Sequence, residues 1–459
     1  MPAFYELKYL NLSQTGLNKG FRRPSIICAG GEKVDGVWQE RNPKVYKPLF
    51  FFLISRCNPA SANITMMVRK TVLLIFVCTL LLIRLPHPCT AEEKDIDIPV
   101  IKAKSHYELG YKQGEMFKPY YRGLFFLSGA IFGKLVNESM VRKHLDVLKS
   151  RYPEFLERLR GLGDSLGFNL SKTLKISLAL SSISAGCTIT AVNGNVTKNG
   201  ERYLSWNLDL PYIYKLLFSR YLRPPPMVIC DIEGKYRYVE VSSLPSIFGF
   251  GLLNEKGLSC VYAMVIPNDI GDGLTPLELN HLAMEGCKDI NEVRDVYENN
   301  ERESGHVSIH TAFGLTANLN ALWSDSSGRQ MLVEYNHSKV VFVYGDILAS
   351  TNHYQYLYNE SFTSEFMIGS KMRLERAYQL LENYTGNIDD DFFTKILTRD
   401  HKNSLPIGDG TDICRHGLTY GTVCCVIIKP DSYEVLYSPG HPCRFGFRLI
   451  DLSEVAEKP

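Results

Sequence analysis

The feature that most constrains this chain is a change of texture at SAGCTITAVNGN, residues Ser184 to Asn195. Upstream, apolar residues recur at three- and four-residue intervals, the period of a helix with one buried face. From Cys187 onward they alternate, or run together between Gly, Asn and Asp, which is the pattern of strands and hairpins. A chain that switches from helix to strand at one point must bury sheets under helices, an α+β layering.

Residues 92–186 read mainly as helix. SHYELGYKQG begins at Ser105, an N-cap, with Glu108 three positions on as a capping box. SMVRKHLDVLKSRYPEFLERLRGLGDSLG, from Ser139, keeps the helical period with an interruption at Pro153. LFFLSGAIFGKLV, residues 124–136, is apolar on nearly every side, which fits a buried helix or a surface that touches lipid or an acyl chain. Downstream, CTITAVNGNVT, RYLSWNLDL, PMVICDIEGKYRYVEVSSL, FGFGLLNEKGLSCVYAMVI, TANLNALWSDSSGRQMLVEYN and KVVFVYGDILASTNHY read as strands. PLELNHLAMEGCKDINEVRDVYEN and SKMRLERAYQLLENY return to helix, and the C-terminal end is strand again.

A 45% apolar and 22% charged composition is that of a folded chain, and a net charge of +2 gives no reason to expect a nucleic-acid partner. MMVRKTVLLIFVCTLLLIRLPHPCTAEEK, from Met66, has a basic start, an apolar run from Thr71 to Ile83 and the small pair Thr90-Ala91, the layout of a secretory signal spanning 66–91. Residues 1–65 are then expected to be an extension from an over-long gene model, the alternative being a signal-anchor with a cytosolic arm. Six glycosylation sequons past this segment, at Asn137, Asn169, Asn195, Asn336, Asn359 and Asn383, agree with the secretory pathway, ending in the lysosome or outside the cell. Past residue 91 the cysteines are Cys187, Cys230, Cys260, Cys287, Cys414, Cys424, Cys425 and Cys443, without the regular spacing of a disulfide scaffold. Cys414-x-His416 and His441-x-Cys443 match no standard zinc-finger spacing, so neither a metal nor any other cofactor is expected.

Cys187 itself has three readings: a buried structural thiol, half of a disulfide, or a nucleophile exposed by scission at Gly186. Gly186 allows a peptide bond to be held away from relaxed geometry. A thiol attacking the carbonyl before it would free a Cys whose own α-amine, with a pKa of about 8, suits it as a general base. Asp209, across one hairpin in SWNLDLP, is placed to support that amine and thiol.

Gly-Cys-Thr followed by N-x-D, then LLNEKGLSC, ALWSDSSGRQMLVE, STNHY and SKMRLERAYQLL, resembles the N-terminal-nucleophile (Ntn) amidases over residues 95–450. These include choloylglycine and penicillin V hydrolases, penicillin acyltransferase, acid ceramidase and the acid amidase acting on N-acylethanolamines. SHYELGYKQG and YSPGHPC are most similar to the penicillin-acyltransferase-like branch. The resemblance implies a four-layer αββα sandwich, with 92–186 as a helical α-subunit segment and 187–459 as the catalytic β-subunit, the fragments staying together after cleavage. It implies Cys187 as nucleophile, Asp209 as its supporting carboxylate, Asn352 as oxyanion donor and Arg373 as an ordering cation. Each fits its chemistry, since a side-chain amide stabilises a tetrahedral oxyanion and a guanidinium stays charged.

Choloylglycine hydrolases carry Arg where this chain has Trp206, and Asn where it has Met264. With Asn207 beside them, Trp206 and Met264 are expected to line a more apolar pocket, which favours a fatty-acyl amide over bile salts or penicillin V. Acyl transfer by the same nucleophile is an alternative. So is an inactive descendant that binds lipid or serves as a scaffold. A papain-like hydrolase with His306, His310 or His353 as base ranks last, because no CGSCW-type context surrounds Cys187.

Overall fold

The computed structural model describes residues 98–131, 136–180, 186–211, 227–241, 247–267, 269, 271–304, 318–357, 365–401, 410–417 and 420–456. The expected extension and signal, residues 1–91, lie outside them, as do Asn359, His306 and His310.

The first described element is a strand, β1 (Val100–Ala103), inside a region expected to be mainly helix. Four residues are too few to show a period; β1 exists because it pairs in parallel with β4 (Met227–Ile232), more than a hundred residues downstream. Helices follow: α1 (His106–Met116), α2 (Lys118–Ile131), α3 (Glu138–Arg151), α4 (Pro153–Leu166) and α5 (Leu170–Leu180). The Ser105 hydroxyl caps α1 by accepting from Glu108 N–H at 3.2 Å. Glu108, however, accepts from Lys104 N–H at 2.8 Å instead of closing a box on the cap residue itself. Pro153 opens α4, where its missing N–H leaves no bond unmade, so the expected interruption is a helix boundary. α1 and α4 cross at paired glycines: a Cβ on Gly110 would lie 2.0 Å from Arg158 O, and one on Gly161 2.0 Å from Tyr107 O. Only glycine admits backbones this close.

From β2 (Gly186–Val192) the expected strands appear: β3 (Tyr203–Pro211), β4, β5 (Tyr238–Val241), β6 (Phe250–Asn254) and β7 (Ser259–Val265). Two helices, α6 (Pro276–Gly286) and α7 (Ile290–Asn299), precede β8 (Asn318–Ser324), β9 (Gln330–Tyr335), β10 (Val340–Tyr344) and β11 (Ile347–Ser350). Next come α8 (Glu365–Asn383), a π-helical segment (Phe392–Leu397), β12 (Tyr420–Lys429), β13 (Glu434–Ser438), the short α9 (Pro442–Phe445) and β14 (Arg448–Asp451).

The strands form an eight-stranded sheet in the order β1-β4-β5-β6-β7-β8-β9-β10 and a six-stranded sheet in the order β11-β2-β3-β12-β13-β14. β2 and β3 of the smaller sheet pack on β7 of the larger, so the sheets face each other. α6 lies on β6 and α7 on β10, while α8 lies on β2 and β11, giving the αββα sandwich that the resemblance implies. This layering explains why β3 is buried on both faces: Leu204, Trp206 and Leu208 join the core between the sheets, and Tyr203 joins a second core under α8.

A buried polar network ties α1, α4 and the Tyr152 junction before α4 to β5 of the larger sheet and to α6. Arg158 Nη2 donates to both oxygens of Glu240, at 3.1 and 3.0 Å, and to Gln113 Oε1 at 2.7 Å. Arg158 Nη1 donates to Tyr238 Oη at 2.9 Å. His106 pairs with Glu285 at 2.7 Å, and Glu285 also accepts from Tyr152 Oη at 2.6 Å. These bonds, with the partner His106, hold Glu285 down to about 2 against its burial. In the apolar segment 124–136, Leu124 and Phe125 are buried and Phe126 is 76% exposed; the side chains of 127–135 are outside the described set.

Candidate active site

β2 and β3 run antiparallel, with Gly186 opposite Asp209, Cys187 opposite Leu208, and Ile189 opposite Trp206. Directly opposed residues share a face. The Cys187 side chain therefore joins Trp206 and Leu208 in the core between the sheets, while Asp209 and Asn207 project toward α8. The Gly186–Cys187 peptide lies at the boundary of the two environments.

Cys187 is 2% exposed, and burial pushes its thiol up to about 12, opposed by the Trp206 indole N–H that reaches Sγ at 3.3 Å and by the Arg373 charge. In the uncut chain the adjoining nitrogen is an amide and offers no basicity, so this thiol is held protonated. That nitrogen is nevertheless positioned: Cys187 N–H donates to Asn352 Oδ1 at 2.8 Å. Arg373 Nη2 donates to the same oxygen at 2.7 Å, which fixes the orientation of the amide, because neither donor can accept. Asn352 Nδ2 then donates to Met264 O at 2.8 Å, bridging to the larger sheet. Arg373 Nη1 donates to Gly410 O.

Beside Gly186 sits Asp209, whose Cβ would lie 3.2 Å from a Cβ placed on the glycine. Asp209 Oδ1 accepts from Thr422 Oγ1 at 2.7 Å. A bulge in β12 between Thr422 and Cys424 makes this bond, since regular alternation would put both residues on one face, whereas here Thr422 opposes Asp209 and Cys424 opposes Leu208. Asp209 Oδ2 has no hydrogen-bond partner among the described residues. Burial raises the Asp209 carboxyl to about 6, opposed by the charges of Arg373 and Arg415 and by the Thr422 bond. The Arg415 guanidinium lies over the Tyr420 ring at 4.4 Å. Thr422, Arg415 and Tyr420 escaped the sequence reading; the only signal was their nearness to the strand that pairs with SWNLDLP.

The sequence-selected residues thus divide. Cys187, Asp209, Asn352 and Arg373, drawn from β2, β3, the turn after β11 and α8, converge on one peptide bond. Trp206 touches the nucleophile and Met264 is buried in the inter-sheet core, touching the site through its carbonyl. Asn207 faces away from the thiol: its Nδ2 donates to Thr398 O at 2.9 Å and Ile413 O at 3.1 Å, so it ties β3 to the loops behind it rather than lining a pocket around Cys187. His353, the described histidine of the papain-like alternative, bonds Ser370 Oγ at 2.8 Å and Thr351 Oγ1 at 3.2 Å, and burial lowers it to about 4. Among the sequons, Asn137, Asn169, Asn195 and Asn383 are exposed. Asn336 is buried, and its Oδ1 accepts from Lys339 N–H at 2.8 Å.

No family model matches the chain, and no curated protein matches it. Among solved structures it is similar to a variant of conjugated bile acid hydrolase from Clostridium perfringens, at 16% identity, covering 58% of this chain and 93% of that one, with a TM-score of 0.41. A second variant of that enzyme matches at 13% identity over 58% and 93%, with a TM-score of 0.38. Penicillin V acylase from Agrobacterium tumefaciens matches at 13% identity over 60% and 89%, with a TM-score of 0.36.

Proposed function

We propose that the protein is a self-processing amidohydrolase that uses Cys187 as an N-terminal nucleophile on linear N-acyl amides. The observation that carries this reading is the convergence of Asn352, Arg373 and Asp209 on the Gly186–Cys187 peptide. In the first reaction Cys187 Sγ attacks the Gly186 carbonyl carbon, and the C–N bond breaks toward Cys187, whose nitrogen takes a proton. Water then hydrolyses the thioester, leaving a Gly186 carboxylate and a free Cys187 amine.

That amine changes the chemistry of the site. It takes the proton of its own thiol, and the thiolate attacks the acyl carbon of a substrate amide. Asn352 supports the oxyanion, and Arg373 keeps the asparagine oriented; a side-chain donor of this kind contributes about 3–4 kcal/mol in a dry site. The leaving amine departs with a proton, and water releases the acid from the acyl-thioester. Asp209, with an acceptor oxygen to spare, balances the positive charge of the amine when it is protonated.

The apolar surroundings of Cys187, with Trp206 where related hydrolases carry Arg, favour a fatty-acyl chain over a bile salt, and acyl transfer to a second amine uses the same intermediate. The β1–β4 pairing and the Arg158 network cross from one side of residue 186 to the other, which supports fragments that stay associated. The leader at 66–91 and the exposed sequons support passage through the secretory pathway to lysosome or exterior, and exposed Phe126 supports transient lipid contact in the 124–136 segment.

The test is a denaturing gel with N-terminal sequencing. Wild type is expected to yield a fragment beginning at Cys187 and to hydrolyse N-acylethanolamines, ceramide or N-acyl amino acids. Cys187→Ala is expected to remain one chain and to lose both activities completely. An uncut wild type that is inert to these amides at acidic and neutral pH leaves the lipid-binding reading in its place.

A further inference from the structure

The sequence spacing argued against zinc, because the chain carries C-x-H and H-x-C where fingers carry longer gaps. The fold assembles a group that neither pair contains alone. His401 follows the π-helical segment, Cys414 and His416 lie in the loop before β12, and Cys443 lies in α9 after β13. One ligand atom from each of these four side chains lies within 4.8 Å of the others.

We propose that His401, Cys414, His416 and Cys443 form a structural zinc site. Zinc takes two sulfurs and two imidazole nitrogens in a tetrahedron, with bonds of about 2.3 Å to sulfur and about 2.0–2.1 Å to nitrogen. The edges of such a tetrahedron are about 3.8 Å between sulfurs and about 3.6 Å between sulfur and nitrogen, by geometry from those bond lengths. The observed separations are 3.7 Å for Cys414 Sγ to Cys443 Sγ, 3.5 Å for Cys414 Sγ to His416 Nε2 and 3.1 Å for His416 Nε2 to Cys443 Sγ. Three ligands therefore already stand near the corners of the tetrahedron, and His401, whose ring centroid is 4.9 Å from that of His416, closes it with a small side-chain shift. The His441 ring stacks on His416 at 4.0 Å and holds that imidazole in orientation. A donor set of two soft thiolates and two imidazoles selects zinc over oxygen-seeking cations, and four protein ligands leave no open position, so the ion would be structural and not catalytic.

The ion would clamp three separate segments and so fix the wall behind Asp209. The loop that supplies Cys414 and His416 also supplies Gly410 O to Arg373, Ile413 O to Asn207, and Arg415 N–H to Thr422 Oγ1 at 2.8 Å.

Metal analysis of the full-length protein after gel filtration is expected to find stoichiometric zinc, with Cys414 and Cys443 protected from alkylation until the metal is removed. Replacement by Co2+ is expected to give tetrahedral d–d absorption with a thiolate-to-cobalt charge-transfer band. Cys443→Ser should lose both the zinc and that band, whereas Cys424→Ser, a buried thiol outside the group, should keep them. A metal-free wild type overturns the proposal, whether peptide mapping finds a Cys414–Cys443 disulfide or two free thiols. Stoichiometric copper or iron in place of zinc overturns it equally. The wild-type measurements decide the matter even where a variant fails to fold.

Discussion

Two arginines are fully buried in different layers of this sandwich, each with a carboxylate in its field, and the two settings differ in how completely they are used. Arg158 and Glu240 are in direct contact at 3.0 Å; both carboxylate oxygens accept, and the two Nη atoms also reach Gln113, Tyr238 and His281, while Nε has no hydrogen-bond partner among the described residues. Arg373 bonds Asn352 and Gly410, while Asp209 is left with one oxygen on Thr422 and the other without a hydrogen-bond partner among the described residues. The first carboxylate is saturated, and its pair holds helices to a sheet. The second keeps acceptor capacity beside the Gly186–Cys187 peptide, where scission would create a cation.

The largest expected effect sharpens the saturated side. Arg158→Met leaves Glu240 buried without its partner and should destabilise the fold by about 3–5 kcal/mol in urea titration, with Cys187 chemistry affected only through unfolding. A loss below about 1 kcal/mol would mean that the pair is no stitch at all.

On the unsaturated side the sign reverses. An acid held at about 6 in the fold, against an ordinary 3.8, takes up a proton on folding between those values, so its contribution to stability falls as pH rises through that window. Asp209→Asn, which resembles the protonated form, should match wild type near pH 4 and exceed it at pH 7 by on the order of 2 kcal/mol. Self-cleavage of the same variant should slow by about 100-fold or more, if the carboxylate supports the developing amine as an electrostatic group does elsewhere. Thermal melts across pH, read beside gel time courses, separate the two effects; a variant less stable at pH 7 would place Asp209 with Glu240 as a structural partner.

The smallest effect concerns the thiol. Trp206→Phe removes the 3.3 Å N–H···S bond, and a neutral hydrogen bond contributes about 0.5–1.5 kcal/mol. Cleavage should therefore slow by no more than about tenfold, while the smaller ring leaves a cavity between the sheets that lowers the melting temperature.

Much of this was legible in residues alone, for reasons that differ by element. Helices α3 and α4 carry their period and their Pro153 boundary in local sequence, and β2 and β3 carry alternation and turn residues. Cys187, Asp209, Asn352 and Arg373 were reached through motif order. β1 was not legible, because a four-residue strand is specified by β4 far along the chain. Thr422 was hidden for a related reason: a bulge, invisible to a period-two pattern, turns its hydroxyl toward Asp209. Asn207 looked like a site residue from its place in SWNLDLP, but it faces away from the thiol, on the side of Asp209, and its amide is spent on Thr398 O and Ile413 O. The His401–Cys443 group was hidden by its assembly from three separate segments, which no spacing rule registers.

The parallel β1–β4 pair has a consequence for the life of the molecule. A cut at residue 186 would turn one polypeptide into two that share a sheet, so the smaller piece could leave only by stripping an edge strand and the Arg158 stitch. Denaturation would then separate what synthesis had joined, and recovery would require two chains to meet in solution. The mature form would persist by the slowness of its opening, having given up the single-chain route by which it first folded.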